Sequence, residues 1–256
     1  MRQVIWMVTL LLATPLVPAQ EALGEEMPAT APAAIRSIDP QVEPVLRAWF
    51  ETRRGRTIYG YRINDIMEQV QDDGQRLHFS HSRTITVRRP NQIRAEITGD
   101  LANKTLWYDG QTFTLLDRST NLYAQVEGGG SISDMKEKLE EEYGLAFPIS
   151  DLIEKDSAAD LLGGVLTAQH LGIHMVSQHE CHHLAFTQED VDWEIWIDAG
   201  EEPIPRRIII VYKNAPGQPQ QIATLDAGTD LSRVTAGTFD FTPPPGSRQV
   251  ELTPGR

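Results

Sequence analysis

Val191-Asp192-Trp193-Glu194-Ile195-Trp196-Ile197-Asp198 is the stretch whose reading decides the fold. Val191, Trp193, Ile195 and Ile197 occupy one phase of a period of two; Asp192, Glu194, Trp196 and Asp198 occupy the other. Successive side chains of a strand point to opposite faces of its sheet, so this alternation predicts a half-buried strand with one tryptophan on each face. The same period extends outward. Residues 166–177 and 181–187 before it, and 206–213 and 220–226 after it, read as strands. Further upstream, Tyr59, Tyr61 and Ile63 alternate with Gly60, Arg62 and Asn64, and Leu77, Phe79, Ile85 and Val87 share a face. Ile93, Ala95 and Ile97 alternate with Arg94, Glu96 and Thr98. Shorter strands follow at 105–108, 112–116 and 121–126, with Asp109-Gly110 as a hairpin turn between the first two.

Helical spacing appears in two places. Val42, Val45, Leu46 and Trp49 form one stripe. Asp39 suits its N-cap and Pro40 its first position, Pro44 offers a later start, and Gly55 stops it. In the middle of the chain Ser131 and Asp134 have capping-box spacing, Ile132, Met135 and Leu139 form the apolar stripe, and Gly144 is the stop. Residues 148–154 and 157–162 read as two further short helices, ended by Gly163-Gly164. A run of antiparallel strands this long must curl, and the helices must bury their stripes on its apolar face. The expected fold is α+β, mainly antiparallel β: a curled half-barrel sheet of about eleven strands with a helical lid.

The N-terminus sets the compartment. Arg2 is a short basic region, residues 4–17 are uncharged and apolar, and Val17-Pro18-Ala19 supplies small residues for cleavage. The apolar run is too short to span a bilayer, so residues 1–19 read as a cleaved signal peptide and the protein as periplasmic. Residues 20–37, rich in Ala, Glu and Pro, read as a disordered linker, 38–250 as one domain and 251–256 as a flexible tail. Cys181 is the only cysteine, so no internal disulfide forms and a domain of this size must rely on its core. With 23 basic against 36 acidic residues the chain has a net charge of −13, which argues against nucleic acid as a partner.

The chemistry-bearing residues are few. His81 and Arg83 interrupt the apolar phase of 77–87, either meeting a ligand head group inside a cavity or turned outward by a bulge. His170 and His174 fall on one strand phase, and His179, Cys181 and His183 on another. A zinc site needs three or four such ligands converging on one ion, whereas alternate residues of a single strand diverge. Cys181 as a thiol nucleophile would need a base in contact with it. There is no Gly-x-Ser-x-Gly, zinc-protease helix or phosphate loop. No catalytic residue, metal or cofactor is assigned, and the chain is read as a non-enzyme.

Several phrases carry a resemblance. Arg89-Pro90-Asn91-Gln92-Ile93-Arg94, Leu106-Trp107-Tyr108-Asp109-Gly110-Gln111-Thr112, Phe147-Pro148-Ile149-Ser150-Asp151-Leu152-Ile153 and Phe239-Asp240-Phe241-Thr242-Pro243-Pro244 look like the Arg-Pro turn, Asp-Gly hairpin, lid helix and terminal strand of the bacterial lipoprotein-carrier (LolA/LolB-like) superfamily. Those proteins are half-open barrels whose lid covers a cavity for acyl chains. Residues 38–250, with Cys181-His182-His183-Leu184-Ala185-Phe186 and Asp192-Trp193-Glu194-Ile195-Trp196-Ile197, resemble more specifically a family of predicted periplasmic proteins carrying a domain-of-unknown-function label. The resemblance implies that Arg89 tethers the lid. It also implies an apolar ligand, a lipid or lipoprotein acyl chain, against a wall of Tyr61, Phe79, His81, Arg83, Ile85, Ile93, Ile97, Trp193, Ile195 and Ile197. Two alternatives stand beside it: an envelope protein-interaction module with a filled core, contacted through Trp196 and Trp107, and a metal or thiol site on the His-rich strand. The glycines at 128–130 and 163–164 flank 131–162 as hinges, and that segment is expected to move more than the sheet.

Overall fold

The computed structural model describes residues 36–145, 147, 155–227 and 231–254. The expected signal peptide, nearly all of the linker and the helix at 148–154 lie outside the described residues.

Ser37, read from the sequence as linker, is already part of the sheet. Ser37–Ile38 (β1) pairs in parallel with the start of Thr167–Val176 (β8). Helix α1 (Val42–Arg54) starts after Pro40, because the Asp39 side chain accepts from the backbone N–H of Gln41 and makes a turn there. Pro44 fits the first helical turn, where backbone N–H groups have no intrahelical partner. The strands β2 (Ile58–Val70), β3 (Arg76–Arg88), β4 (Gln92–Gly99), β5 (Asn103–Tyr108), β6 (Thr112–Asp117) and β7 (Leu122–Glu127) follow as a meander. At the β5–β6 turn the Asp109 carboxylate accepts from the backbone N–H groups of Gln111 and Thr112, both at 2.8 Å, and Gly110 takes φ +99°.

Helix α2 (Ile132–Tyr143) has the capping box of Ser131 and Asp134 and ends at Gly144 in the left-handed conformation. The one-turn helix α3 (Ala158–Leu161) is capped by Ser157. Then come β8, β9 (His179–Thr187), β10 (Val191–Asp198), β11 (Pro205–Tyr212) and β12 (Gln220–Ala227). The two halves join where β12 pairs antiparallel with β2, Leu225 opposite Ile63. Among the described residues the result is one open thirteen-stranded sheet in the order β1-β8-β9-β10-β11-β12-β2-β3-β4-β5-β6-β7-β13, the last being Arg248–Gln249. Eleven of these are the expected strands; β1 and β13 are two-residue edge additions, each parallel to its neighbour.

Period-two alternation gives this sheet two distinct faces. On the inner face Tyr59, Tyr61, Ile63, Ile85, Val87, Leu184, Phe186, Ile195 and Leu225 merge into one core with Leu46 and Trp49 of α1, Met135 and Leu139 of α2, and Leu161 of α3. The outer face is partly covered by the chain after β12. Phe239 is fully buried under the Arg88 guanidinium, and Phe241 lies against the rings of Trp107 and Tyr123. The phrase read as a terminal strand is thus a short 3₁₀ turn (Ala236–Phe239) and an irregular strap; the added strand comes later, at β13.

Two expectations about surface aromatics are corrected. Trp196 is 8% exposed: His183 stacks on it at 4.0 Å and Arg207 covers it, beside Val176 and Cys181. Trp107 is half-buried under Phe241 and Arg94. Neither presents a free ring to a partner. Because the strap is pinned through Phe239, truncating Phe239→Ala should cost about 3–5 kcal/mol, read as a lower urea midpoint. An unchanged midpoint would show that the strap adds nothing to the sheet.

Candidate functional site

The ten expected wall residues all fall on the inner face. Tyr61 is opposite Ile85, Arg83 opposite Ile97, and Val87 opposite Ile93. From the other half, Ile195 is opposite Ile208, Ile208 opposite Ala223, and Ala223 opposite Asp65. They differ in how they are covered. Tyr61, Ile85, Ile195 and Ile197 are buried within the core. Phe79, Ile93, Ile97 and Trp193 keep part of their surface open, and so does Ile210 beside them. Trp193 stacks on Phe186 at 3.9 Å, which presents one flat apolar surface on this face.

His81 and Arg83 remain on the inner face as well. The β2–β3 register runs unbroken from Ile58–Arg88 to Val70–Arg76, so no bulge turns them outward. The group that makes this tolerable is Asp65, 2% exposed and directly opposite His81. Arg83 Nη2 donates to Asp65 Oδ2 at 3.1 Å, and Gln221 Nε2 donates to the same oxygen at 3.0 Å. The Tyr212 hydroxyl donates to Gln221 Oε1 at 3.1 Å. Tyr212, Gln221, Asp65 and Arg83 therefore form a polar ladder across β11, β12, β2 and β3. His81 Nδ1 stands 3.8 Å from Asp65 Oδ2, too far for a hydrogen bond. Its ring passes over Gly99, the residue opposite, where an added Cβ would lie 2.8 Å from His81 Cδ2.

Burial dominates the electrostatics here. Desolvation pushes the Asp65 carboxyl above its ordinary range, against the pull of Arg83, Gln221 and His81. Desolvation also lowers His81, against the opposing charge of Asp65, and so favours the neutral imidazole. The phase of β2 carried the missed signal: Tyr59, Tyr61 and Ile63 lead to Asp65 on the same face.

Arg89, at the cis Arg89–Pro90 corner between β3 and β4, donates to both carboxylate oxygens of Asp156, at 3.0 and 2.6 Å. Arg53 of α1, almost fully buried, donates to the Lys155 carbonyl and reaches Asp156 Oδ1 at 3.4 Å. Both guanidinium groups lie over the Tyr59 ring. The backbone entering α3 is thus clamped between α1 and the β3–β4 corner. The hydrogen bonds from Arg89 hold the Asp156 carboxyl below the usual carboxylate range.

The His-rich strand disperses its ligand candidates. His179 pairs with Asp198, His183 with Glu194, and Cys181 is fully buried with its thiol pushed up chiefly by desolvation. His170 and His174 do not share a face. A bulge at Leu171-Gly172, with Gly172 at φ +103°, leaves His170 bonded to His182 on the inner side and His174 against His183 on the outer. Among the described residues no group of three or more His, Cys, Asp and Glu converges as a metal site. No helix among them is long and apolar enough to cross a membrane.

Two outcomes follow. Asp65→Ala leaves Arg83 buried without its partner and should cost about 3–5 kcal/mol, whereas the double variant Asp65→Leu/Arg83→Met should lose far less. Denaturant curves of both decide it; equal losses would mean that the pair acts only by filling space. The second outcome concerns acid. A carboxyl with a depressed folded pKa contributes stability above its unfolded value and loses it as pH falls through the folded one. Residues 155–161 should therefore loosen, by hydrogen exchange, only below the ordinary carboxylate range, and Asp156→Asn should abolish that acid step.

No curated relative matches the chain. Similar solved structures include an uncharacterized conserved protein from Thermus thermophilus, with TM-score 0.47 and 10% identity over 82% of this chain and 99% of that one. Another is the lipoprotein LppX of Mycobacterium tuberculosis, with TM-score 0.47 and 15% identity over 73% and 94%. A LolA superfamily protein from Nitrosomonas europaea gives TM-score 0.34 and 10% identity over 77% and 96%. Residues 43–253, from the first turn of α1 through the strap and β13, match the family described as predicted periplasmic protein, DUF2092. The chain belongs to that family, and its place is the periplasm, as the N-terminal reading expects.

Proposed function

We propose that the chain is a periplasmic binding protein that holds an apolar ligand, the acyl chain of a lipid or lipoprotein, between the inner face of the sheet and the helices over it. The carrying observation is the band of large apolar side chains on that face that stay partly open: Phe79, Ile93, Ile97, Trp193 and Ile210. Binding sites for apolar ligands are concave, mostly apolar and marked by a few placed polar groups, and this face is curved, apolar and interrupted by one polar ladder. The cover has the means to open. Helix α2 is held by a narrow stripe, Ile132, Met135 and Leu139, beside an exposed acidic run at Glu140, Glu141 and Glu142. On this reading Arg89 tethers the cover through Asp156, and α2 is the moving element. No catalytic role is assigned: the one thiol is buried, and His170, His179, His182 and His183 are engaged with carboxylates or with each other.

A second reading, an envelope interaction module, finds its support away from Trp107 and Trp196. Leu171, Ile173 and Met175 are exposed on β8 beyond the point where β1 stops pairing, an apolar stretch on an open strand edge. A partner there would slow exchange along 169–176 and leave the inner face empty of lipid.

Native mass spectrometry of gently purified protein separates the two. The carrier reading expects co-purifying lipid and saturable uptake of a fluorescent acyl probe. Trp193→Ala should weaken that uptake about tenfold, the cost of losing one aromatic contact. Protein free of lipid that takes up no probe would overturn it.

A further inference from the structure

The polar ladder names the head group. We propose that Asp65, His81 and Arg83 form a subsite for a neutral head that both donates and accepts a hydrogen bond, a hydroxyl or an amide, on the end of an alkyl chain. This rests on the carrier reading and deepens it.

Three buried atoms of this cluster have no hydrogen-bond partner among the described residues: Asp65 Oδ1, His81 Nδ1 and Arg83 Nε. A polar atom buried unpaired is expensive, so three in one cluster, on the face where a ligand would lie, mark a place built to meet something polar. Their chemistry is mixed. Arg83 Nε can only donate and the ionised Asp65 Oδ1 can only accept, so one bound group must offer an acceptor to the first and a donor to the second. His81 Nδ1 serves either role according to its tautomer. A hydroxyl or a primary amide meets both demands; a carboxylate or phosphate meets only the first.

Charge gives the same answer. One carboxylate and one guanidinium already neutralise each other at 3.1 Å, and burial favours neutral His81. An anionic head would lose its water without finding a free cation, and would sit beside the Asp65 carboxylate. The surrounding wall of Ile63, Ile85, Ile97 and Ala223 offers it no compensation, but does suit the chain behind a neutral head. The Tyr212 and Gln221 bonds hold the ladder from the opposite side and keep Asp65 Oδ2 occupied, so Oδ1 is the oxygen left for the ligand.

The test displaces a fluorescent acyl probe from the full mature chain, at neutral pH, with four competitors of one chain length: dodecanol, dodecanamide, dodecanoate and dodecyl phosphate. The alcohol and the amide should compete about tenfold more strongly than either anion, the value of one satisfied against one unsatisfied buried hydrogen bond. The alcohol and amide arms tell the two neutral heads apart. Asp65→Asn, nearly isosteric, frees the Arg83 charge and should reverse the order in favour of the anions. If that variant does not fold, the ranking in the native protein still decides. Anions competing as well as or better than the neutral heads would overturn this inference while leaving the carrier reading standing. Failure of the native protein to take up the probe or any competitor would overturn both.

Discussion

The structure depends on one constraint: a strand shows alternate residues to opposite faces, and a long open sheet must hide one of those faces. Because β2 pairs with β3 and β12, and β3 with β4, without a slip, every apolar phase in the middle of the sheet lands on the same side. That side then recruits α1, α2 and α3. A slip of one residue in β3 would send Ile85 and Val87 to solvent and bring Arg88 inward. The extensive ladder between β2 and β3, thirteen paired residues long, is what prevents this.

The same constraint explains why a few polar groups matter so much. A charge placed on the hidden phase cannot escape by rotating outward, so it must be met on its own face. Arg83 is met by Asp65, one strand away, and Asp65 in turn by Gln221 from the other half of the chain. The ladder therefore sits at the seam where the two halves of the sheet are joined by β12 and β2. At the other end of β2, the clamp of Arg53 and Arg89 on 155–156 fixes the base of the covering segment.

The strands were legible because period two is a local signal. Val191–Asp198 declares both its faces, and the register confirms Trp193 inside and Trp196 outside. The capping box at Ser131 and the stop at Gly144 were equally local. What could not be read depends on pairing across long sequence distances. Asp65 stood on an apolar phase in plain view, but its partner Gln221 lies 156 residues away. Asp156 meets Arg89 across 67 residues. The bulge that separates His170 from His174 turns on Gly172, whose φ no periodicity reveals. The cover over Trp107 comes from a strap with no period at all.

The central claim is that an alkyl chain lies on the inner face, and isotope-filtered nuclear Overhauser spectroscopy tests it most directly. Protein labelled at isoleucine methyls is mixed with an unlabelled dodecyl ligand. The inner and outer faces carry different isoleucines: Ile93, Ile97 and Ile210 inside, Ile66 and Ile209 outside. The account predicts ligand contacts to the first three and none to the last two. Contacts confined to Ile66 and Ile209, or none to any isoleucine at saturating ligand, would contradict it.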